Sequence, residues 1–281
     1  MNWNDLLYPI DEKPLDRLVE GYSRTSIFRT IAFIGDSLSS GEFETRDAEG
    51  GKHYHDLFEY SWGQFIARKN GLKAYNFSKG GMTGKQYIET FAESRGYWDK
   101  DKAAQAYVIA LGVNDIYNKH MPVGRIEDID PSDWRKNNTE TFAGFYGAII
   151  SRYKEISPEA KFFFVTFPRE SRREGNETTA QMIDLLYRLT EIFDNSYVID
   201  LYKYGPLYDQ NFRDHFFLHG HMTPDGYLFT AELVDSYIDY IIRHNPKDFK
   251  QVGFINSGIE HDKILLRSEI LCGIRIKKNL V

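Results

Sequence analysis

Five short runs along the chain are apolar almost throughout: Thr30–Ile34, Ala74–Phe77, Tyr107–Leu111, Lys161–Phe167 and Tyr197–Leu201. Apolar runs this short, without polar alternation, predict strands covered on both faces, as in a parallel sheet. Between them the apolar positions recur at helical spacing. Ser61–Asn70 places Trp62, Phe65 and Ile66 on one side and stops at Gly71. Thr83, with Gln86 three residues later, predicts a capping box that opens a helix over Gly84–Phe91. Thr141–Ile156 carries Phe142, Phe145, Ile149, Ile150 and Tyr153 on one face, and Thr178–Phe193 carries Met182, Leu185, Leu186, Leu189 and Phe193. Thr223 followed by Pro224 supplies an N-cap and a first-turn proline for a helix to about Ile242. Strands alternating with helices predict a doubly wound α/β sheet, whose ligand site lies beyond the carboxyl ends of the strands. Residues 30–245 form that domain. Residues 1–29 read as an N-terminal arm with one short helix near Leu15–Glu20. Residues 246–281 are a C-terminal extension with two apolar stretches, Ile264–Leu266 and Ile270–Ile276. The extension packs on the domain or on a partner, which leaves self-association open.

Composition narrows the class. The 281 residues suffice for a sizeable core, and 42% hydrophobic with 27% charged residues is ordinary for a globular protein. Lys and Arg total 35 against 41 Asp and Glu, a net charge of −6, which argues against nucleic-acid binding through a broad basic face. The single cysteine, Cys272, excludes an internal disulfide and a cysteine-rich zinc site. No apolar run approaches the roughly 20 residues of a membrane span. The N-terminus carries Asp5, Asp11 and Glu12 and no apolar run, so a cytoplasmic protein with no membrane partner is expected.

Four segments carry candidate chemistry, three of them just past strands. Gly35-Asp36-Ser37-Leu38-Ser39-Ser40-Gly41 follows the first strand and can present Ser37 at the sheet edge, as a nucleophile or as a capping serine. Asn76-Phe77-Ser78-Lys79-Gly80-Gly81-Met82-Thr83 follows the second, where adjacent glycines can expose bare N–H groups to an oxyanion or simply turn the chain. Leu111-Gly112-Val113-Asn114-Asp115 closes the third, where the Asn114 amide is an uncharged donor or part of a turn. His219-Gly220-His221-Met222-Thr223-Pro224-Asp225-Gly226-Tyr227 precedes the last helix and offers a general base, or a satisfied loop histidine.

In this order and at these strand ends, the four segments resemble the SGNH hydrolases, the GDSL esterase/lipase family, from about Ile31 to Ile242. The resemblance implies a three-layer α/β/α sandwich around a flavodoxin-like five-stranded parallel sheet. It implies Ser37 as nucleophile and His221 as base. It implies an oxyanion hole from the N–H groups of Ser37 and Gly81 and the Asn114 side chain. No metal and no cofactor is implied, and the partner is a small-molecule ester. One position departs from the family pattern: the acid usually found three residues before the histidine is replaced by Leu218. Asp214, seven residues before His221, is the candidate to orient the imidazole, and a backbone carbonyl is the alternative. His219 is a poorer base candidate, because it would put Phe216 at the acid position.

The expected activity is hydrolysis of short-chain acyl esters, acetylated carbohydrate included, through an acyl-enzyme on Ser37. The segment Glu42–Tyr60, polar and aromatic, lies near enough to line or cover the substrate pocket. Three alternatives remain open. An acyltransferase would use the same acyl-enzyme. A ligand-binding protein would have lost activity with the acid. A metal-dependent hydrolase would draw on His53, His55, His215, His219 and His221. Arg169, Arg172 and Arg173, interleaved with Glu170 and Glu174, read as a solvated loop or as a contact for an anionic substrate.

Overall fold

The computed structural model describes residues 6–259. Nine strands occur among them: β1 (Thr30–Gly35), β2 (Glu42–Arg46), β3 (Lys52–Asp56), β4 (Lys73–Ser78), β5 (Ala106–Ala110), β6 (Lys161–Val165), β7 (Ser196–Ile199), β8 (Phe217–Leu218) and β9 (His221–Met222). The five predicted strands are β1, β4, β5, β6 and β7. They form one parallel sheet in the order β4-β1-β5-β6-β7. The order reverses at β1, so the crevice at its carboxyl end is the expected ligand position.

Alternate residues of the central strands feed two cores. Ala32, Ile34, Tyr107, Ile109, Phe162 and Phe164 face one side, packed beneath the helices Phe142–Ile156 and Glu177–Ile192. Ile31, Phe33, Ala106, Val108, Phe163 and Val165 face the other, beneath Trp62–Asn70 and Pro224–His244. Burial on both faces explains why the strands read as unbroken apolar runs. The result is a three-layer α/β/α sandwich.

Capping follows the sequence closely. Ser61, Thr83, Thr141 and Thr223 each accept a backbone N–H three residues ahead. The predicted helix over Gly84–Phe91 starts as an α-turn at Gly84–Gln86, widens to a π-turn at Tyr87–Phe91, and resumes at Ala92–Ser94. The expected helix near Leu15–Glu20 does not form. That stretch runs through turns, with Leu15 at φ 64, and is tied down by specific contacts instead. Glu12 pairs with Arg243, and the Val19 N–H donates to Ser236 Oγ at 2.9 Å.

The described part of the C-terminal extension lies under the amino ends of the strands. Gln105 Nε2 donates to the carbonyls of Val252 and Ile255, and Arg29 donates to those of Gly253 and Ile255. Phe249 and Val252 join the second core. The stretches Ile264–Leu266 and Ile270–Ile276, and Cys272, lie outside the described residues. Among the described residues no helix is long and apolar enough to cross a membrane.

Candidate active site

Sheet register brings three of the four motifs to one place. Gly35 is level with Ser78 on β4 and with Ala110 on β5. The chain therefore leaves the sheet at Asp36-Ser37, at Lys79-Gly80-Gly81 and at Leu111–Asn114 along the same carboxyl edge. The fourth motif arrives through the short hairpin β8–β9, in which Leu218 pairs with His221. Ser37, Gly81, Asn114 and His221 all line one cleft of about 580 Å³. A larger cavity of about 790 Å³, lined by His120, Arg125, Asp184 and Arg188 among others, contains neither Ser37 nor His221.

Ser37 opens a one-turn helix, Ser37–Ser40, capped by the Asp36 carboxylate on the Leu38 N–H at 3.1 Å. The Ser37 N–H is a first-turn amide with no acceptor among the described residues, as helix starts leave it. The Ser37 hydroxyl also lacks a partner among them, so no hydrogen bond joins it to His221 in this structure. Gly81 sits at φ 70, a left-handed conformation that glycine adopts without strain, and its N–H is likewise unbonded. The buried Asn114 is oriented by Asn118, whose Nδ2 donates to Asn114 Oδ1 at 2.6 Å. This turns the Asn114 amide donor toward Met82 O, at 3.1 Å, and Asp36 Oδ2, at 3.5 Å. The longer of these bonds is the weaker and the more easily exchanged.

His221 has a carboxylate partner, and it is Glu42. The His221 Nε2 to Glu42 Oε1 distance is 2.9 Å, with both side chains largely buried. Glu44, two residues along the same strand, places Oε2 at 3.9 Å from His221 Nδ1. Burial pushes the Glu44 carboxyl up, but the Gly220 N–H and Lys52 together outweigh it and hold it below its ordinary range. Asp214, the acid expected from sequence, stands on the helix Gln210–Phe216, exposed, accepting a bond from Gln210. Leu218, at the family's usual acid position, is 45% exposed and offers no acceptor to the imidazole.

The carboxylate thus comes from the segment after Ser37. Glu42–Tyr60 begins as a β-hairpin, β2–β3, that packs beside β9. Residues two apart on a strand share a face, so Glu42 and Glu44 both reach His221. That signal was present in the sequence as two acids at alternate positions just past Gly41. Tyr54, from β3, lays its ring edge-on to His221 at 5.7 Å and lines the cleft. Gly80 lies against the same carboxylate: a Cβ there would stand 1.8 Å from Glu42 Oε2.

Two neighbouring aspartates are perturbed. Burial raises Asp36 to about 6, against the pull of the Leu38 N–H and of His221. Burial likewise raises Asp115 to about 6, although its Oδ1 accepts the Gly84 N–H at 2.9 Å. Three of the remaining histidines of the sequence clusters are separately engaged, His53 with Asp47, His55 with Thr45 and His215 with the Asn211 carbonyl, and His219 is exposed. Among the described residues no group of three or more His, Cys, Asp or Glu side chains is placed to hold a metal ion.

A comparison with curated proteins finds no match. Solved structures with the same fold include a protein from Lactobacillus plantarum, at 16% identity and TM-score 0.54, covering 76% of this chain and 97% of that one. Another is a family two carbohydrate esterase from Clostridium thermocellum in complex with cellohexaose, at 17% identity and TM-score 0.52, covering 83% and 67%. At these identities the likeness is one of fold. The GDSL-like lipase/acylhydrolase family, by contrast, matches in sequence over residues 33–228, from β1 into the last long helix, so the chain belongs to that family.

Proposed function

We propose that the protein is a serine esterase that cleaves short-chain acyl esters through an acyl-enzyme on Ser37. What supports this reading is that Ser37, Gly81, Asn114 and the Glu42-paired His221 all line a single cleft. His221, with Nε2 held by Glu42, is left with Nδ1, buried and unbonded in this structure, to take the Ser37 proton as the hydroxyl attacks the ester carbonyl. A bound ester brings the serine and the imidazole together, since such bonds are often long before substrate arrives. The N–H groups of Ser37 and Gly81 and the Asn114 amide receive the oxyanion. His221 then protonates the leaving alcohol, and water, deprotonated by His221, releases the acid. Glu42 acts as a positioning residue that fixes the tautomer and balances the imidazolium charge.

A short acyl group is favoured by a narrow apolar recess of about 80 Å³, which shares Leu38, Val113, Phe167 and Tyr208 with the cleft walls. A polar alcohol, such as a carbohydrate hydroxyl, suits the wider cleft, and the fold likeness to a carbohydrate esterase is in keeping with it. The test is hydrolysis of p-nitrophenyl esters from acetate to palmitate by wild type and Ser37→Ala. Activity confined to short chains and abolished in Ser37→Ala is expected. Activity that survives in Ser37→Ala, or a preference for palmitate, would overturn the reading.

A further inference from the structure

The cleft has a second chemical character away from the Ser37–His221 end. Arg172 and Arg173, on the loop after β6, and Arg213, on the helix Gln210–Phe216, also line it. Glu170 pairs with Arg172 and stands 3.5 Å from Arg173, so one carboxylate serves two guanidiniums. Arg213 has no carboxylate partner among the described residues. Its guanidinium lies over the Phe217 ring at 4.4 Å, and that of Arg173 over Tyr117 at 4.0 Å. These three cations therefore carry two positive charges that Glu170 does not balance. The other acids of the cleft are committed elsewhere, Glu42 to His221 and Asp36 to the Leu38 N–H.

The backbone that carries the arginines is also tied down. The Tyr208 N–H donates to the Arg169 carbonyl at 2.8 Å, and Glu170 bridges to Tyr208 in parallel register. This ladder ties the arginine loop to the segment leading into the Arg213 helix. Arg169 itself does not line the cleft. Stacked, pre-oriented guanidiniums present forked N–H pairs that match a carboxylate or phosphate better than an ammonium would.

The apolar recess beside Ser37 contains no arginine, so the acyl group and the cations occupy different parts of the site. Resting on the esterase reading above, we propose that the alcohol portion of the substrate carries an oxyanion, a carboxylate or a phosphate, which Arg213, Arg172 and Arg173 bind.

Three acetyl esters test this: 4-acetoxybenzoate, 4-acetoxyphenyl phosphate and the neutral 4-acetoxybenzamide. Wild type should show kcat/KM for one of the anionic esters about tenfold or more above the amide at low salt, as charged hydrogen bonds of ordinary strength would give. Whichever anion is preferred identifies the group. The anionic-to-neutral ratio should fall about tenfold in Arg213→Gln and in Arg172→Gln, and recover in part in Arg213→Lys. An equal ratio in wild type and in all three variants, for both anions, would overturn the proposal. Calorimetry on the Ser37→Ala protein separates the two readings. Binding of 4-hydroxybenzoate or 4-hydroxyphenyl phosphate in preference to 4-hydroxybenzamide supports the anion site whether or not any ester is cleaved. Ser37-dependent cleavage of 4-acetoxybenzamide with no such preference in rate or binding would leave an esterase without the anion site.

Discussion

Glu42 and His221 stand 179 positions apart in the chain and 2.9 Å apart in space, joined Oε1 to Nε2. The pair lies within the cleft that holds Ser37, and Glu44 flanks the other ring nitrogen at 3.9 Å. Replacing Glu42 by Gln keeps the shape and removes the charge. The expected result is a fall in kcat of at most about 10⁴, with KM little changed and activity partly restored in Glu42→Asp. The measurement is steady-state kinetics on p-nitrophenyl acetate. A Glu42→Gln enzyme with wild-type kcat would show that His221 needs no acid at this position.

Gly80 tests the same pair from the opposite side. An alanine there would push on Glu42 Oε2, since its Cβ would lie at 1.8 Å. The carboxylate must move, and it cannot move without loosening His221. Gly80→Ala should therefore lose activity, and the Glu42→Ala/Gly80→Ala double variant should be no slower than Glu42→Ala alone. Such non-additivity marks two residues that act through one contact.

Asn114 should matter mainly to the rate. Its amide is aimed by Asn118, and its long bond to Asp36 is free to be exchanged for the oxyanion. Asn114→Ala is expected to lower kcat by about 10²–10³, the usual cost of one oxyanion donor. Asn118→Ala should reproduce a smaller part of that loss, because the donor survives but its aim does not.

Asp36 gives the protein a pH signature. Its carboxyl is raised by burial to about 6 from an ordinary 3.8. Between these values the folded protein holds a proton that the unfolded chain has released, so this group's contribution to stability falls as pH rises from about 4 to about 6. Asp36→Asn removes that fall. Variant minus wild-type Tm should be more positive at pH 7 than at pH 4, by an amount corresponding to at most about 3 kcal/mol. A difference that does not change with pH would contradict the role of burial at this residue.

The five strands and four of the long helices were legible because their patterns are local. Buried parallel strands are apolar on both faces, and Ser61, Thr141 and Thr223 mark helix starts with side chains that do what their position predicts. The motif residues at the β1, β4 and β5 ends were legible for a related reason, since sheet register alone carries them together. The partner of His221 was not. The search for it looked along the chain upstream of the histidine, where Leu218 and Asp214 stand, whereas a hairpin from the other end of the domain supplies Glu42. Contacts between segments far apart in sequence leave no periodicity to read. The missing arm helix near Leu15 failed for the complementary reason: polar anchors such as Glu12–Arg243 set its path, and they override helix preference.

The β2–β3 hairpin gives the site a point of failure separate from the rest of the fold. All five residues of β3 are exposed, and the hairpin is fastened mainly through β2 and its ends: Leu57 N–H to Gly41 O at 2.9 Å, Tyr227 Oη to Glu42 O at 2.5 Å, Gly220 N–H to Glu44, Glu42 to His221, Ser40 Oγ to Asp56, and Phe43 against Tyr60 and Tyr227. A two-stranded ribbon held this way opens at lower free energy than a five-stranded sheet packed on both sides. When it opens, the carboxylate leaves with it, while Ser37 stays fixed to β1. Amide exchange should therefore be faster in Thr45–Asp56 than in the central strands. Warming should extinguish turnover reversibly, some degrees before the sandwich melts.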